Sequence, residues 1–166
     1  MKKIEKNIRY WLIFFMIVLA ISGITAIPVE TELDFLSRFF SIDSSIGQWL
    51  DNVYQAFHET NKNYPFLAYG YDWLAFAHIV LAILFIGPLM HPIRNKWVIQ
   101  FGMIACVLII PFAFIAGPHR GIPLMWTLVD CSFGVIGFFP LLICLHQINK
   151  LENIHSKNSD HETTMV

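Results

Sequence analysis

The chain is short of charge. Of its 166 residues, 14% are Asp, Glu, Lys or Arg, against roughly a quarter in an ordinary soluble domain. The net charge is −1, so there is no basic surplus to point to nucleic acid. Cys106, Cys131 and Cys144 are an odd set with no C-x-x-C among them. That excludes a disulfide framework and a thiol-redox motif, and leaves three small hydrophobes expected to be buried in apolar segments. No H-E-x-x-H or similar hydrolase signature is present. There is no internal repeat, and the apolar runs are continuous rather than alternating, so they do not read as barrel strands.

What the chain has is hydrophobic length. Hydrophobic residues make up 56% of it, and its mean hydropathy is +0.57. Crossing about 30 Å of hydrocarbon takes roughly 20 helical residues. Four runs suffice, at 10–27, 73–90, 97–116 and 122–145. Lipid leaves only helices and closed barrels, so the runs predict an all-α integral membrane protein with a four-transmembrane-helix bundle. Lys2, Lys3, Lys6 and Arg9 before the first run resemble a signal peptide. The apolar core is long for one and no Ala-x-Ala follows, so the run is expected to be a retained span.

Basic residues set the expected orientation. With the N-terminus inside, eight Lys and Arg lie inside (Lys2, Lys3, Lys6, Arg9, Arg94, Lys96, Lys150, Lys157) and three outside (Arg38, Lys62, Arg120). Both termini are therefore expected in the cytoplasm.

Residues 29–71 form an external segment with helical signals. Thr31 and Asp34 resemble a capping pattern ahead of Leu33, Leu36, Phe39 and Phe40. Asp43, Ser44 and Ser45 can cap a second helix. In it Ile46, Trp49, Leu50, Val53, Tyr54 and Phe57 recur at steps of three and four, with Asp51, Asn52, Gln55 and Glu59 opposite. That amphipathic helix is expected to cap the bundle rather than lie on acidic lipid, because its polar face is itself acidic. Tyr64, Tyr69, Tyr71 and Trp73 read as an interfacial aromatic belt.

Small residues mark the expected helix contacts: Ser22 and Ala26 on span one, Ala75 and Ala82 beside His78 on span two, Gly102 and Cys106 on span three. Span four carries Asp130. An ionisable group in a span costs a few kcal/mol on insertion scales, which makes it a candidate functional residue. Thr127, Asp130, Gly134 and Gly137 share a stripe by three- and four-residue steps, expected to face the interior. His78 and Asp130 both fall roughly 9 to 10 Å below the outer ends of their spans. Arg120, in the turn at 117–123 with His119, can reach Asp130; Asp72 is a rival partner for it.

Two kinds of reading stay open for this cluster of His78, Asp130, Arg120, His119 and Asp72. It can be structural glue between helices. It can also be functional, and there the readings divide. One is proton or small-molecule handling by a coupled Asp–His pair. Another is a metal or haem site with ligands from His78, His119 and Asp130, together with His58. A two-histidine haem wants both ligands well inside the bilayer, and only His78 is so placed; His91 and His146 sit at the opposite rim. A third is an accessory role in which the faces of small residues meet a membrane-protein partner or a second copy.

The stretch Tyr-Pro-Phe-Leu-Ala-Tyr-Gly-Tyr-Asp-Trp-Leu-Ala-Phe-Ala-His at 64–78, Ile-Ala-Gly-Pro-His-Arg-Gly-Ile-Pro at 115–123 and Leu-Val-Asp-Cys-Ser-Phe-Gly at 128–134 carry a resemblance. Over most of 64–146 the chain resembles an uncharacterised group of bacterial multi-span inner-membrane proteins. The resemblance implies a bacterial cytoplasmic membrane and brings no activity with it. The expected organisation is one transmembrane domain over 1–146, then a polar tail at 147–166, expected to be disordered and cytoplasmic.

Overall fold

The structure is a computed structural model, and it describes residues 2–41 and 43–164, with side chains as far as Ser156. The described residues are mostly helical, with turns between the helices and without strands. Seven α-helices follow in order: α1 (Lys2–Thr25), α2 (Val29–Ser37), α3 (Ser45–Asn63), α4 (Tyr69–Leu84), α5 (Ile86–Met90), α6 (Lys96–His119) and α7 (Leu124–Thr164). A 3₁₀ turn over Pro65–Leu67 leads into α4.

Four stretches are long and apolar enough to cross a membrane: Lys2–Thr25, Pro65–Met90, Lys96–His119 and Leu124–Ser156. Each contains one of the four runs read from the sequence, apart from two residues at each of two edges. The second stretch is not one unbroken helix. Pro88 has no N–H to offer the carbonyl of Leu84, so α4 stops there and α5 restarts after Phe85.

The contact pattern divides the chain into two compact units, with the division falling inside α1 and α4. The first comprises residues 1–17 and 83–166. Its core is built from Ile8 and Leu12 of α1, Phe85, Ile99 and Cys106 of α6, and Leu141, Cys144, Ile148 and Leu151 of α7. Here α6 and α7 form a helical hairpin. Gly117 lies against Thr127, Gly134 against Cys106, and Gly102 against Leu141. At its open end the Lys96 ammonium donates to Glu152 at 2.7 Å. Gly102 and Cys106 thus form the small face expected of them. A Cβ on Gly134 would stand 2.5 Å from the Cys106 carbonyl oxygen, so the two backbones touch at this position.

The tail differs from its expectation. Its composition is polar, yet α7 runs on through it to Thr164. Ile148 and Leu151 continue the three- and four-residue spacing of Leu141 and Cys144, and both are buried. Hydrophobic spacing overrides average polarity over 147–156. Met165 and Val166 lie outside the described residues.

The second unit comprises residues 18–82. Ser44 caps α3 by accepting from the Gly47 N–H at 3.0 Å. The capping expected at Thr31 does not occur, because α2 has already begun at Val29, after Pro28. On α3, Leu50 is buried and Ile46, Trp49, Val53, Tyr54 and Phe57 are half-buried, while Asn52, Gln55 and Glu59 are exposed. Gly23 rather than Ser22 is the small residue of α1 that makes the close approach. A Cβ there would lie 2.7 Å from His78 Cβ and 2.9 Å from the Ala75 carbonyl oxygen; Ser22 is exposed.

Candidate functional site

Asp130 is held by α7, near the closed end of the α6–α7 hairpin. Thr127, Gly134 and Gly137 of α7 meet α6, at Gly117, the Cys106 carbonyl and the Cys106 sulfur respectively. Asp130 is the member of the expected stripe that falls outside this contact: it sits half-buried at its edge, and the buried residue between Thr127 and Gly134 is Cys131. Thr127 spends its hydroxyl on the Pro123 carbonyl at 3.3 Å, and Ser132 donates to Val129 O at 2.6 Å. Both are local back-bonds within a helical turn, which satisfy a hydroxyl without a neighbouring helix. A carboxylate has no donor to give and cannot do the same. Among the described residues of its own unit Asp130 has neither a hydrogen bond nor an ion pair.

Arg120 does not meet it. Arg120 is the C-cap of α6, with its backbone N–H directed at the carbonyls of Ala116 and Gly117. Gly121 follows at φ +66, and Ile122 N–H reaches back to Gly117 O at 2.9 Å. This is the Schellman closure of a helix, which lets the chain turn sharply into α7. It leaves the Arg120 side chain exposed at the hairpin's end, as is that of His119. Asp130 lies roughly 9 Å along α7 from Leu124. The expected ion pair is absent among the described residues because the two groups sit at different levels.

His78 and Asp72 belong to the other unit. The His78 ring is half-buried, and its Nδ1–H donates to the Leu74 carbonyl at 2.8 Å. A neutral ring so bonded presents Nε2 as an acceptor. The room that Ala75 was expected to leave beside the imidazole is where Gly23 of α1 approaches. Asp72 is exposed in the first turn of α4, a position where a carboxylate complements the helix dipole.

His58 has a partner that sequence reasoning missed. Its Nδ1 contacts Glu30 Oε1, and Asn61 Nδ2 donates to Glu30 Oε2 at 3.1 Å. The ring also stacks on Tyr54, with centroids 5.9 Å apart. The hydrogen bond from His58 holds the Glu30 carboxyl below its ordinary value, with Asn61 adding to the effect. Glu30 and His58 are 28 positions apart on separate helices, so no periodicity couples them. The contact accounts for His58 as a clasp between α2 and α3.

Within either unit, no three His, Cys, Asp or Glu side chains gather as a metal site among the described residues. His58, His119, His78 and Asp130 are thus spread over α3, the end of α6, α4 and α7. The three cysteines are free and buried. No protein family, no curated protein and no solved structure matches the chain.

Proposed function

We propose that this is an accessory membrane protein whose Asp130 face docks a membrane-embedded partner. The reading places it in a bacterial cytoplasmic membrane with both termini cytoplasmic and α2 and α3 outside, on the resemblance and the distribution of Lys and Arg. Asp130 then lies near the outer surface.

One observation carries the proposal. Asp130 is an ionisable side chain within a span, and within its own unit it has no hydrogen-bonding or ionic partner among the described residues. Leaving such a group in hydrocarbon costs a few kcal/mol, and a donor or cation on a neighbouring helix relieves that cost. The spans also have surface to spare. Between 17% and 28% of the most apolar stretch of each is buried within the chain, which leaves broad faces for lipid and for another helix. The partner is a second copy or another membrane protein that brings a hydrogen-bond donor.

A photo-crosslinking residue at Val129, beside Asp130 and on the exposed side of α7, tests this in membranes. The expected result is a single discrete adduct, kept in Asp130→Asn and lost in Asp130→Leu. Equal crosslinking in all three backgrounds would overturn the proposal. An absorption spectrum and a metal analysis of the purified protein separate it from a redox role. A Soret band, or stoichiometric metal lost in His78→Ala, would replace it with a cofactor-binding function.

A further inference from the structure

The N-terminal turns of α1 and the polar part of α7 line an open groove of about 610 Å³ in the first unit. That is within the range of about 300–1,000 Å³ usual for small-molecule sites. Its lining is one-sided in charge. Lys3 and Lys6 come from α1 and Lys150 from α7, with Asn7, Tyr10 and Gln147 between them. His146 completes the polar lining, which includes no carboxylate. None of the three lysines is in an ion pair among the described residues, although Lys96, on the same unit, has found Glu152.

A second observation comes from Gln147. Its side-chain oxygen is buried without a hydrogen-bond partner, and it is the one such side-chain atom among the described residues. A buried acceptor left unmade costs about 1–3 kcal/mol, so it calls for a donor from outside the protein's own side chains. The groove therefore offers three cations for an anion, and a rotation of the Gln147 side chain, whose oxygen is covered by protein as it stands, would add an amide acceptor for a hydroxyl.

We propose that this groove binds the headgroup of an anionic phospholipid: the phosphate between Lys3, Lys6 and Lys150, and a headgroup hydroxyl donating to Gln147. The recognised chemistry is a phosphate carrying a hydroxyl. Ammonium groups near a membrane surface each attract anionic lipid, so three of them together give a preference of tenfold or more. The site is separate from Asp130 and does not depend on the docking role.

The test is native mass spectrometry of the full chain in mild detergent, with phosphatidylglycerol, phosphatidylcholine and phosphatidylmethanol. The wild type is expected to retain phosphatidylglycerol at least about tenfold over phosphatidylcholine. Lys3→Gln, Lys6→Gln and Lys150→Gln together should abolish that preference. The same three positions changed to Arg should keep it, which separates charge from fold. Gln147→Leu should remove the preference for phosphatidylglycerol over phosphatidylmethanol, whose headgroup has no hydroxyl. Inorganic phosphate distinguishes the source: failure to compete identifies the lipid, and full competition identifies a free phosphate ester and overturns the lipid assignment. Equal retention of the zwitterionic and anionic lipids, or an unchanged preference in the triple Gln variant, would overturn the site itself. Retention of the phosphatidylglycerol preference over phosphatidylmethanol in Gln147→Leu would overturn the hydroxyl contact.

Discussion

Gly121 closes α6 in the left-handed region, at φ +66, where a side chain is strained whatever the space around it. We expect Gly121→Ala to destabilise the hairpin by about 1 kcal/mol, through backbone conformation alone. Reversible unfolding in bicelles would show it, and no loss would mean that the turn is not held as described. Glu30 supplies the second prediction at this scale. Its folded carboxyl is held below 4.5, so its contribution to stability is present above 4.5 and fades as pH falls through the lowered value. Carbon-13 NMR of labelled glutamate should give Glu30 a midpoint below 4.5 in the wild type, rising towards 4.5 in His58→Gln. An unchanged midpoint would mean that His58 is not the main cause. Asp130 was legible from the sequence because one carboxylate in an apolar run stands out by composition. The Glu30–His58 contact was not, because it joins two helices through a distance that no local pattern records.

At the scale of elements, the hairpin of α6 and α7 shows how far pattern reading reaches. Four apolar runs were enough to locate the membrane-length stretches, since about 20 apolar residues have few alternatives to a helix in lipid. Small residues marked the α6 face correctly at Gly102 and Cys106. They misled on α1, where Ser22 and Ala26 fit the spacing rule but Gly23 makes the contact, because a Cβ there would come within 2.9 Å of the Ala75 carbonyl oxygen. The tail misled for a different reason. Its average polarity concealed Ile148 and Leu151, which extend the apolar line of α7 into the core. The tightest helix contact of the hairpin gives the prediction for this scale. A Cβ on Gly134 meets a backbone oxygen, which cannot rotate away, so Gly134→Ala must part the helices. We expect a loss of about 1–3 kcal/mol. Gly137→Ala, whose nearest neighbour is the Cys106 sulfur at 3.2 Å, should cost less. A reversed order in the same unfolding measurement would contradict this packing.

Across the whole molecule, most polar groups of the spans and of the external segment are satisfied locally, and a few are left incomplete. Its cysteines are buried, the span hydroxyls of Thr127 and Ser132 are locally bonded, and the external histidine is clasped to Glu30. Asp130 is a half-buried carboxylate within a span that has no such partner in its own unit among the described residues, and the lysine-lined groove at the polar end of α1 holds cations without an ion pair among them. Each calls for something from outside the chain: a helix with a donor for the first, an anionic headgroup for the second. The sequence showed where the carboxylate was but suggested internal partners, Arg120 and His78. For Arg120 the turn geometry decides otherwise, since the Gly121 closure leaves its side chain at the exposed end of the hairpin. The most direct test is the mass of the particle extracted from native membranes into polymer-bounded lipid discs, without detergent. The account predicts that the wild type and Asp130→Asn emerge as an assembly of more than one polypeptide, and that Asp130→Leu emerges as a single chain. A wild type that emerges alone, or an Asp130→Leu particle of wild-type mass, would contradict it.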